Sequence, residues 1–289
     1  MNYQNAEYSR EGGIGSSHKA VSYACRPSPS ASGEYLPENL VPGWRTMHHT
    51  CLDSTNFEAR RLVFAGVREK CIIVADAQTE GQCRHNQLWE SPAGKGVWAS
   101  YMLPVSAPLE NLPQSTLVFA VAVREGVYKA TGVSLAVKWP NDLLGDGKKC
   151  SGLLVETTGI DERSGAEMLI LGAGVNHAQE EHDFPEYLRA GATSLSILAN
   201  GKQFCRKEIL RCVACAIERW FVLWERVGFS PIRSEWLAVN CTIGKAVVLP
   251  EGYGYSHGVA CDLEDNGALK VLTDDGAVLL IDSGEVRHC

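Results

Sequence analysis

Five apolar runs of strand length constrain this chain most. They are CIIVAD (Cys71–Asp76), VWASYML (Val97–Leu103), LAVKW (Leu135–Trp139), CSGLLVETT (Cys150–Thr158) and MLILGAGVN (Met168–Asn176). Each is short, rich in β-branched or aromatic residues and bounded by glycine, proline or polar residues, which predicts strands. Between them lie stretches with helical spacing. Ser54 or Thr55 can cap a helix through FEARRLVFAGV, with Phe57, Leu62, Val63 and Ala65 on one face and Gly66 as its stop. STLVFAVAVREGVYKATG (Ser115–Gly132) reads as a buried helix capped by Ser115 or Thr116 and ended by Gly132. Arg206–Val227 carries a broad apolar face of Ile209, Leu210, Val213, Ile217, Trp220, Phe221 and Leu223.

The texture changes after Trp236. KAVVLP, HGVACDL, GALKVLT and AVLLI are short strands separated by Gly, Asp and Asn turns, the pattern of a small β-barrel or sheet. The fold class expected is therefore α+β: a mixed β-sheet domain flanked by helices, with a small C-terminal β-barrel. Residues 1–43 read as a flexible N-terminal extension, 44–235 as the main domain and 236–289 as the barrel.

Several function classes are disfavoured. The formal charge of −7 over 289 residues argues against a general nucleic-acid surface, which needs a basic stripe. No apolar run approaches the ~18 residues of a membrane span. The start, MNYQNAEYSREGG, has no apolar core of the signal-peptide kind. The 11 cysteines are odd in number and irregularly spaced, which favours reduced thiols and a cytoplasmic setting over a disulfide framework. The single CxxC, Cys212–Cys215, lies in a helical pattern without further zinc ligands and reads as core filling.

Four polar clusters interrupt the regular elements: Ser54-Thr55-Asn56, the loop Gln78–Gly96, Lys138-Trp139-Pro140-Asn141-Asp142, and Gly172–Asn176. Three stand at strand ends, where such scaffolds place ligands. Lys138 closes an apolar strand, so it either meets an anion or snorkels its head to solvent. Asn141 and Asp142 serve a ligand or a turn. The loop offers backbone N–H groups around Gly81, Gly94 and Gly96, and the cation Arg84. Neither a GxxxxGK[ST] nor a strand-borne GxGxxG is present.

Together these motifs resemble the biotin protein ligase family, also called biotin–[acetyl-CoA carboxylase] ligase. The resemblance runs from about Trp44 to the C-terminus. It is carried by DSTN (Asp53–Asn56), ADAQTEG (Ala75–Gly81), W-x-SP-x-G (Trp89–Gly94), KWPNDLL (Lys138–Leu144), KKCSGLLVE (Lys148–Glu156), GAGVN (Gly172–Asn176) and ATSL (Ala192–Leu195). The resemblance implies a mixed sheet with helices on one side, followed by a small barrel. It also implies a two-step reaction. ATP and biotin give biotinyl-5′-AMP, and a lysine of a carboxylase's biotin carrier domain then takes the biotinyl group. Catalysis of this kind rests on positioning and cationic stabilisation.

Carried over position by position, the resemblance implies that Ser54, Thr55, Asn56 and Gln78 meet the head of biotin. Gly81, Gln82, Cys83 and Arg84 form the loop over it, and Gly152 lines its wall. Lys138 and Arg84 become the catalytic cations. Arg84, Trp89, Lys138, Asn141 and Asn176 bind ATP, and Asp142 helps to hold Mg2+. DNA and membrane are not expected partners, since the residues before Asp53 lack a helical DNA-reading pattern. Two alternatives stay open. One is a lipoate or octanoate ligase or transferase sharing the core fold. The other is a non-catalytic biotin sensor.

The sensor alternative arises from the loop. The family reads GRGRxGR where this chain reads Gly81-Gln82-Cys83-Arg84-His85-Asn86-Gln87. Gln82 and Gln87 stand in place of arginines, and Cys83 and Asn86 in place of glycines, leaving Arg84 as the one permanent cation. Arg84→Ala is expected to lower biotinyl-AMP formation severely, and formation at the parent rate would remove Arg84 from its role. Gln82→Arg is expected to slow release of the intermediate, measured by its dissociation from the enzyme; unchanged release would make the missing charge irrelevant.

Overall fold

A computed structural model of the chain describes residues 36–84, 87–160, 167–284 and 286–288. The expected N-terminal extension up to residue 35, and His85 and Asn86 of the loop, lie outside the described residues.

The main sheet has seven strands: β1 (Arg45–His49), β2 (Cys71–Ala75), β3 (Gly96–Val105), β4 (Ala136–Lys138), β5 (Asp142–Gly145), β6 (Lys148–Ile160) and β7 (Glu167–Asn176). Their spatial order is β1-β2-β3-β7-β6-β5-β4. β1 and β2 run parallel and every other pair runs antiparallel, so the sheet is mixed, as expected. The apolar runs read as strands all appear. β1 and β5 were hidden in sequence: β1 (RTMHH) lacks an apolar run, and β5 begins at Asp142, inside a stretch with turn chemistry.

Helices cover both faces of this sheet, which corrects the expectation of helices on one side. The alternation of β2 explains it. Ile72 and Val74 join a core with α2 (Ser115–Thr131) and α5 (Arg206–Val227), while Cys71 and Ile73 join a second core with Ala59 and Val63 of α1 (Thr55–Phe64). A central strand buried on both faces shows no polar alternation, which is why β2 and β3 read as continuous apolar runs.

The caps of α1 and α2 differ. The Ser54 hydroxyl accepts the Asn56 N–H and caps α1 as its sequence predicts. At α2 the expected Ser115 or Thr116 cap is replaced. The chain enters through a 3₁₀ turn (Leu109–Gln114), and the Ser115 hydroxyl donates back to the Leu112 carbonyl. Gly132 ends α2 with φ +77°, as expected. Two short helices, α3 (Glu186–Arg189) and α4 (Leu195–Leu198), follow β7, and α6 (Ser230–Val239) follows α5. The expected boundary between residues 235 and 236 falls inside α6.

A second sheet is wholly antiparallel: β8 (Ala246–Val248), β9 (His257–Leu263), β10 (Leu269–Leu272), β11 (Val278–Ile281) and β12 (Arg287–His288), in the order β11-β10-β9-β8-β12. Its outer strands do not pair with each other, so the expected barrel is an open sheet. The inner face, with Val247, Ala260, Leu263, Leu269, Val271 and Ile281, is continuous with the main core. Trp139 joins the two sheets: its N–H donates to Thr242 Oγ1 at 2.9 Å and its indole N–H to the Gly267 carbonyl at 3.1 Å.

Eight cysteines from Cys71 to Cys261 are free, including Cys212 and Cys215 of the CxxC pair. Cys51 is disulfide-bonded, against the expectation of reduced thiols. An odd count and irregular spacing exclude a regular framework but not one isolated bond. No helix among the described residues is long and apolar enough to cross a membrane.

α2 and α5 come into close contact at Gly126. A methyl group there would stand 2.5 Å from Val213 Cα and 2.6 Å from Val213 N, so the backbones themselves would have to part. Gly126→Ala should therefore destabilise the fold by roughly 1–3 kcal/mol through overpacking, despite the better helix propensity of alanine. Denaturant unfolding checks this, and a variant as stable as its parent would contradict so tight a contact.

Candidate active site

The strand ends and α1 enclose a cavity on the α1 side of the main sheet. Its deep end is polar. Thr55 N–H and Thr55 Oγ1 both lie within hydrogen-bonding distance of Gln78 Oε1, at 2.8 and 3.1 Å. Gln78 Nε2 donates to Ser91 Oγ at 2.9 Å, which fixes the amide orientation. The fully buried Ser100 Oγ lies 2.8 Å from Thr55 Oγ1 and 2.5 Å from Asn56 Oδ1. Ser54, Thr55, Asn56 and Gln78 line this end together.

The floor is made by β6 and β7, where Gly152 and Gly174 face each other in register. The Trp89 ring lies over both: a methyl group at Gly152 would stand 2.6 Å from Trp89 Cζ3, and one at Gly174 2.6 Å from Trp89 Nε1. Next along β7, a methyl group at Gly172 would stand 2.3 Å from Asn56 Oδ1. The loop above is a small hairpin. Trp89 N–H donates to the Gly81 carbonyl at 2.8 Å and Cys83 N–H to the Gln87 carbonyl at 2.9 Å. Gln82, Cys83 and Arg84 line the cavity from this hairpin. Arg84 Nη1 also donates to the Gly284 carbonyl of the second sheet at 2.9 Å. Gly81 does not line the cavity but packs beneath Trp89 and Ser91, 2.5 and 2.8 Å from where a Cβ would be.

Lys138 does not line the cavity, whereas Lys149 does. Lys149 Nζ lies 2.7 Å from Asp142 Oδ1 and 5.4 Å from the Trp89 ring centroid. A register shift explains why it faces inward. Leu143 pairs with Ser151 but Leu144 pairs with Lys149, leaving Cys150 as an extra residue on β6. Such a bulge reverses the alternation and turns Lys149 to the same side as Gly152. Lys138 pairs in register with Asp142, which pairs in turn with Gly152, so its side chain leaves β4 on the cavity's face of the sheet, and its charge also reaches groups beside the second sheet. Burial depresses the His288 imidazole, with Lys138 and Lys245 adding to the effect. Burial raises the Cys241 thiol, and Lys138 opposes that rise.

Asn141 and Asp142 both line the cavity. Asn141 Nδ2 donates to the Leu153 carbonyl at 2.6 Å. No group of three or more His, Cys, Asp or Glu side chains able to hold a metal occurs among the described residues.

Asn176 lines an adjoining second cavity, which shares Cys83, Gln87, Trp89 and Lys149 with the first and continues past Phe184 and Tyr187. There Asn176 Nδ2 donates to the Thr193 carbonyl at 2.9 Å and its Oδ1 accepts from Gln179 Nε2 at 3.0 Å. The buried indole N–H of Trp89 has no hydrogen-bond partner among the described residues. Sequence reasoning missed Lys149, Ser91, Ser100 and Gly174. Lys149 and Gly174 both sat within the quoted motifs, but facing cannot be read through an unrecognised bulge.

Two compartments thus meet at a tryptophan and a lysine, one of them ending in hydrogen-bonding side chains. Known proteins place this site more closely. Residues 49–176 match the biotin/lipoate A/B protein ligase family and residues 242–288 the biotin protein ligase C-terminal domain. The chain is 35% identical to the bifunctional ligase/repressor BirA of Bacillus subtilis over 236 residues, covering 82% of this chain and 72% of that protein. It is 33% identical to the biotin–[acetyl-CoA-carboxylase] ligase of Paracoccus denitrificans over 221 residues, covering 75% and 90%. The Aquifex aeolicus biotin protein ligase in complex with biotin and ATP superposes with a TM-score of 0.70 at 28% identity, covering 84% of this chain and 99% of that one. The chain belongs to the biotin/lipoate A/B protein ligase family.

Proposed function

We propose that this chain is a biotin protein ligase. It activates biotin with ATP and transfers the biotinyl group to a lysine of a carboxylase's carrier domain. The observation that carries this reading is the placement of Lys149 and Trp89 in the shared wall of the two compartments. The polar end takes the ureido head of biotin, and the compartment lined by Asn176 takes the nucleotide. The Trp89 ring offers that nucleotide a stacking surface, and its unpartnered N–H offers a donor.

A carboxylate directed from the polar end toward the shared wall meets Lys149. In the first step a biotin carboxylate oxygen attacks the α-phosphorus of ATP, and the bond to pyrophosphate breaks. Lys149 and Arg84 reduce repulsion between the two anions and stabilise charge on the phosphoryl oxygens. In the second step the neutral amine of the acceptor lysine attacks the biotinyl carbonyl carbon. The C–O bond to AMP breaks, an amide forms, and the amine loses a proton. Magnesium enters this reading as a companion of the ATP phosphates rather than as a protein-held ion. A cytoplasmic setting, where ATP is available, fits the reaction.

We infer that Lys149, which lines this wall, carries the role first expected of Lys138. Biotin-dependent ATP–pyrophosphate exchange tests both the function and this assignment. Exchange should appear with biotin and be absent with lipoate, and Lys149→Ala should lower it roughly 100-fold, the scale of losing one charge stabiliser. A severe loss in Lys138→Ala with a mild one in Lys149→Ala would return the role to Lys138. Exchange with lipoate alone would overturn the choice of substrate.

A further inference from the structure

Glu156 lies on β6, outside the lining of the cavity, on the α1 side of the sheet. Two residues one helical turn apart on α1 reach it. Asn56 Nδ2 donates to Glu156 Oε2 at 2.8 Å, and the Arg60 guanidinium pairs with Oε1. The carboxylate side chain is 18% exposed and has no part in the two-step reaction above.

Counting hydrogens along this chain gives Glu156 a use. A carboxylate paired with guanidinium only accepts, so Asn56 must present its NH2 group to Glu156. Its carbonyl Oδ1 is then turned to Ser100 and can only accept. The single Ser100 hydroxyl hydrogen is thereby committed to Asn56, 2.5 Å away. It cannot also serve Thr55 Oγ1, 2.8 Å away on the other side. The Thr55 hydrogen in turn points to Gln78 Oε1 or to Ser100 Oγ. In either case the Thr55 oxygen receives no donor from this network. Its neighbour has the opposite polarity. Ser54 Oγ accepts the Asn56 N–H, which leaves its own hydrogen available to donate.

We infer that Glu156, braced by Arg60, is a positioning residue that sets the direction of this hydrogen-bond chain and so keeps Thr55 Oγ1 an acceptor for a ligand N–H beside the Ser54 donor. The inference rests on reading the cavity as a biotin site, since a cyclic urea presents an N–H and a C=O side by side. Gly172 supports the arrangement, because a side chain there would displace the Asn56 carbonyl.

Glu156→Gln keeps the shape and reverses the direction. The glutamine oxygen goes to Arg60, where an NH2 group would meet only donors, and its NH2 group goes to Asn56. Asn56 turns over, its own NH2 group now faces Ser100, and the Ser100 hydrogen shifts to Thr55 Oγ1. There it competes with the ligand N–H.

The test is calorimetric binding of biotin and of its two N-methyl ureido derivatives to the parent and to Glu156→Gln. Biotin should bind the variant about tenfold more weakly, the equivalent of one neutral hydrogen bond. The derivative whose methyl replaces the N–H facing Thr55 should bind the two proteins equally, since the contact at issue is already missing. An equal loss for biotin and both derivatives would reduce Glu156 to a structural brace, and an undiminished affinity for biotin would overturn the inference. A parent that fails to bind biotin would instead overturn the reading of the cavity itself.

Discussion

Much of the site depends on bare backbone along one face of two adjacent strands. Gly152, Gly172 and Gly174 present no side chain toward α1, and the space is taken by Trp89 and Asn56 at contact distances that leave no room for a methyl group. Glycine costs a strand both entropy and packing, and such positions mark close approach of another group. Here the close approach builds the floor. Trp89 lies over the paired Gly152 and Gly174, and its ring in turn stands beside Lys149. Asn56 settles over Gly172 and connects Ser100 to Glu156. A hydrogen-bonding end and a cationic wall are thus set along one cavity by the same omission of side chains.

The site works with few cations, and none of them is isolated. Lys149 is paired with Asp142, and Arg84 is held to a backbone carbonyl. A lysine matched by one carboxylate is already compensated before an anion arrives, so the field it offers is smaller than that of a bare charge. The loop is correspondingly poor in charge, with glutamine at 82 and 87. Hydrogen bonds within the hairpin, from Trp89 to Gly81 and from Cys83 to Gln87, supply its local shape.

The main strands and the two long helices were legible because burial writes directly into composition. β2, β3 and β7 are apolar along their length, and α5 ends where Arg206 and Val227 suggested. What escaped was set by contacts distant in sequence. β1 carries two histidines and an arginine, and its pairing with β2 decides its state. β5 looks like a turn until β6 pairs with it. The side reached by Lys149 depends on the one-residue bulge at Cys150, which no periodicity count contains. Lys138 drew attention by ending an apolar strand, and its register opposite Asp142 sets it on the face that bears the cavity. The motif found the region of the site, and the bulge added a second lysine to the face that Lys138 already shares with Asp142.

The bond from Arg84 to the Gly284 carbonyl spans 200 positions of sequence and ties the hairpin to the smaller sheet. A guanidinium has several donors, so it can keep this tether while it engages an anion, or exchange one for the other. Where it is exchanged, the energy of the tether differs between the empty and the filled pocket. Linkage is then reciprocal: whatever tilts or loosens the C-terminal lobe alters how firmly the hairpin holds its occupant, and occupancy pulls back on the lobe by the same amount. A partner that grips only the far lobe would therefore have a route to hasten or delay the departure of a bound intermediate without touching it.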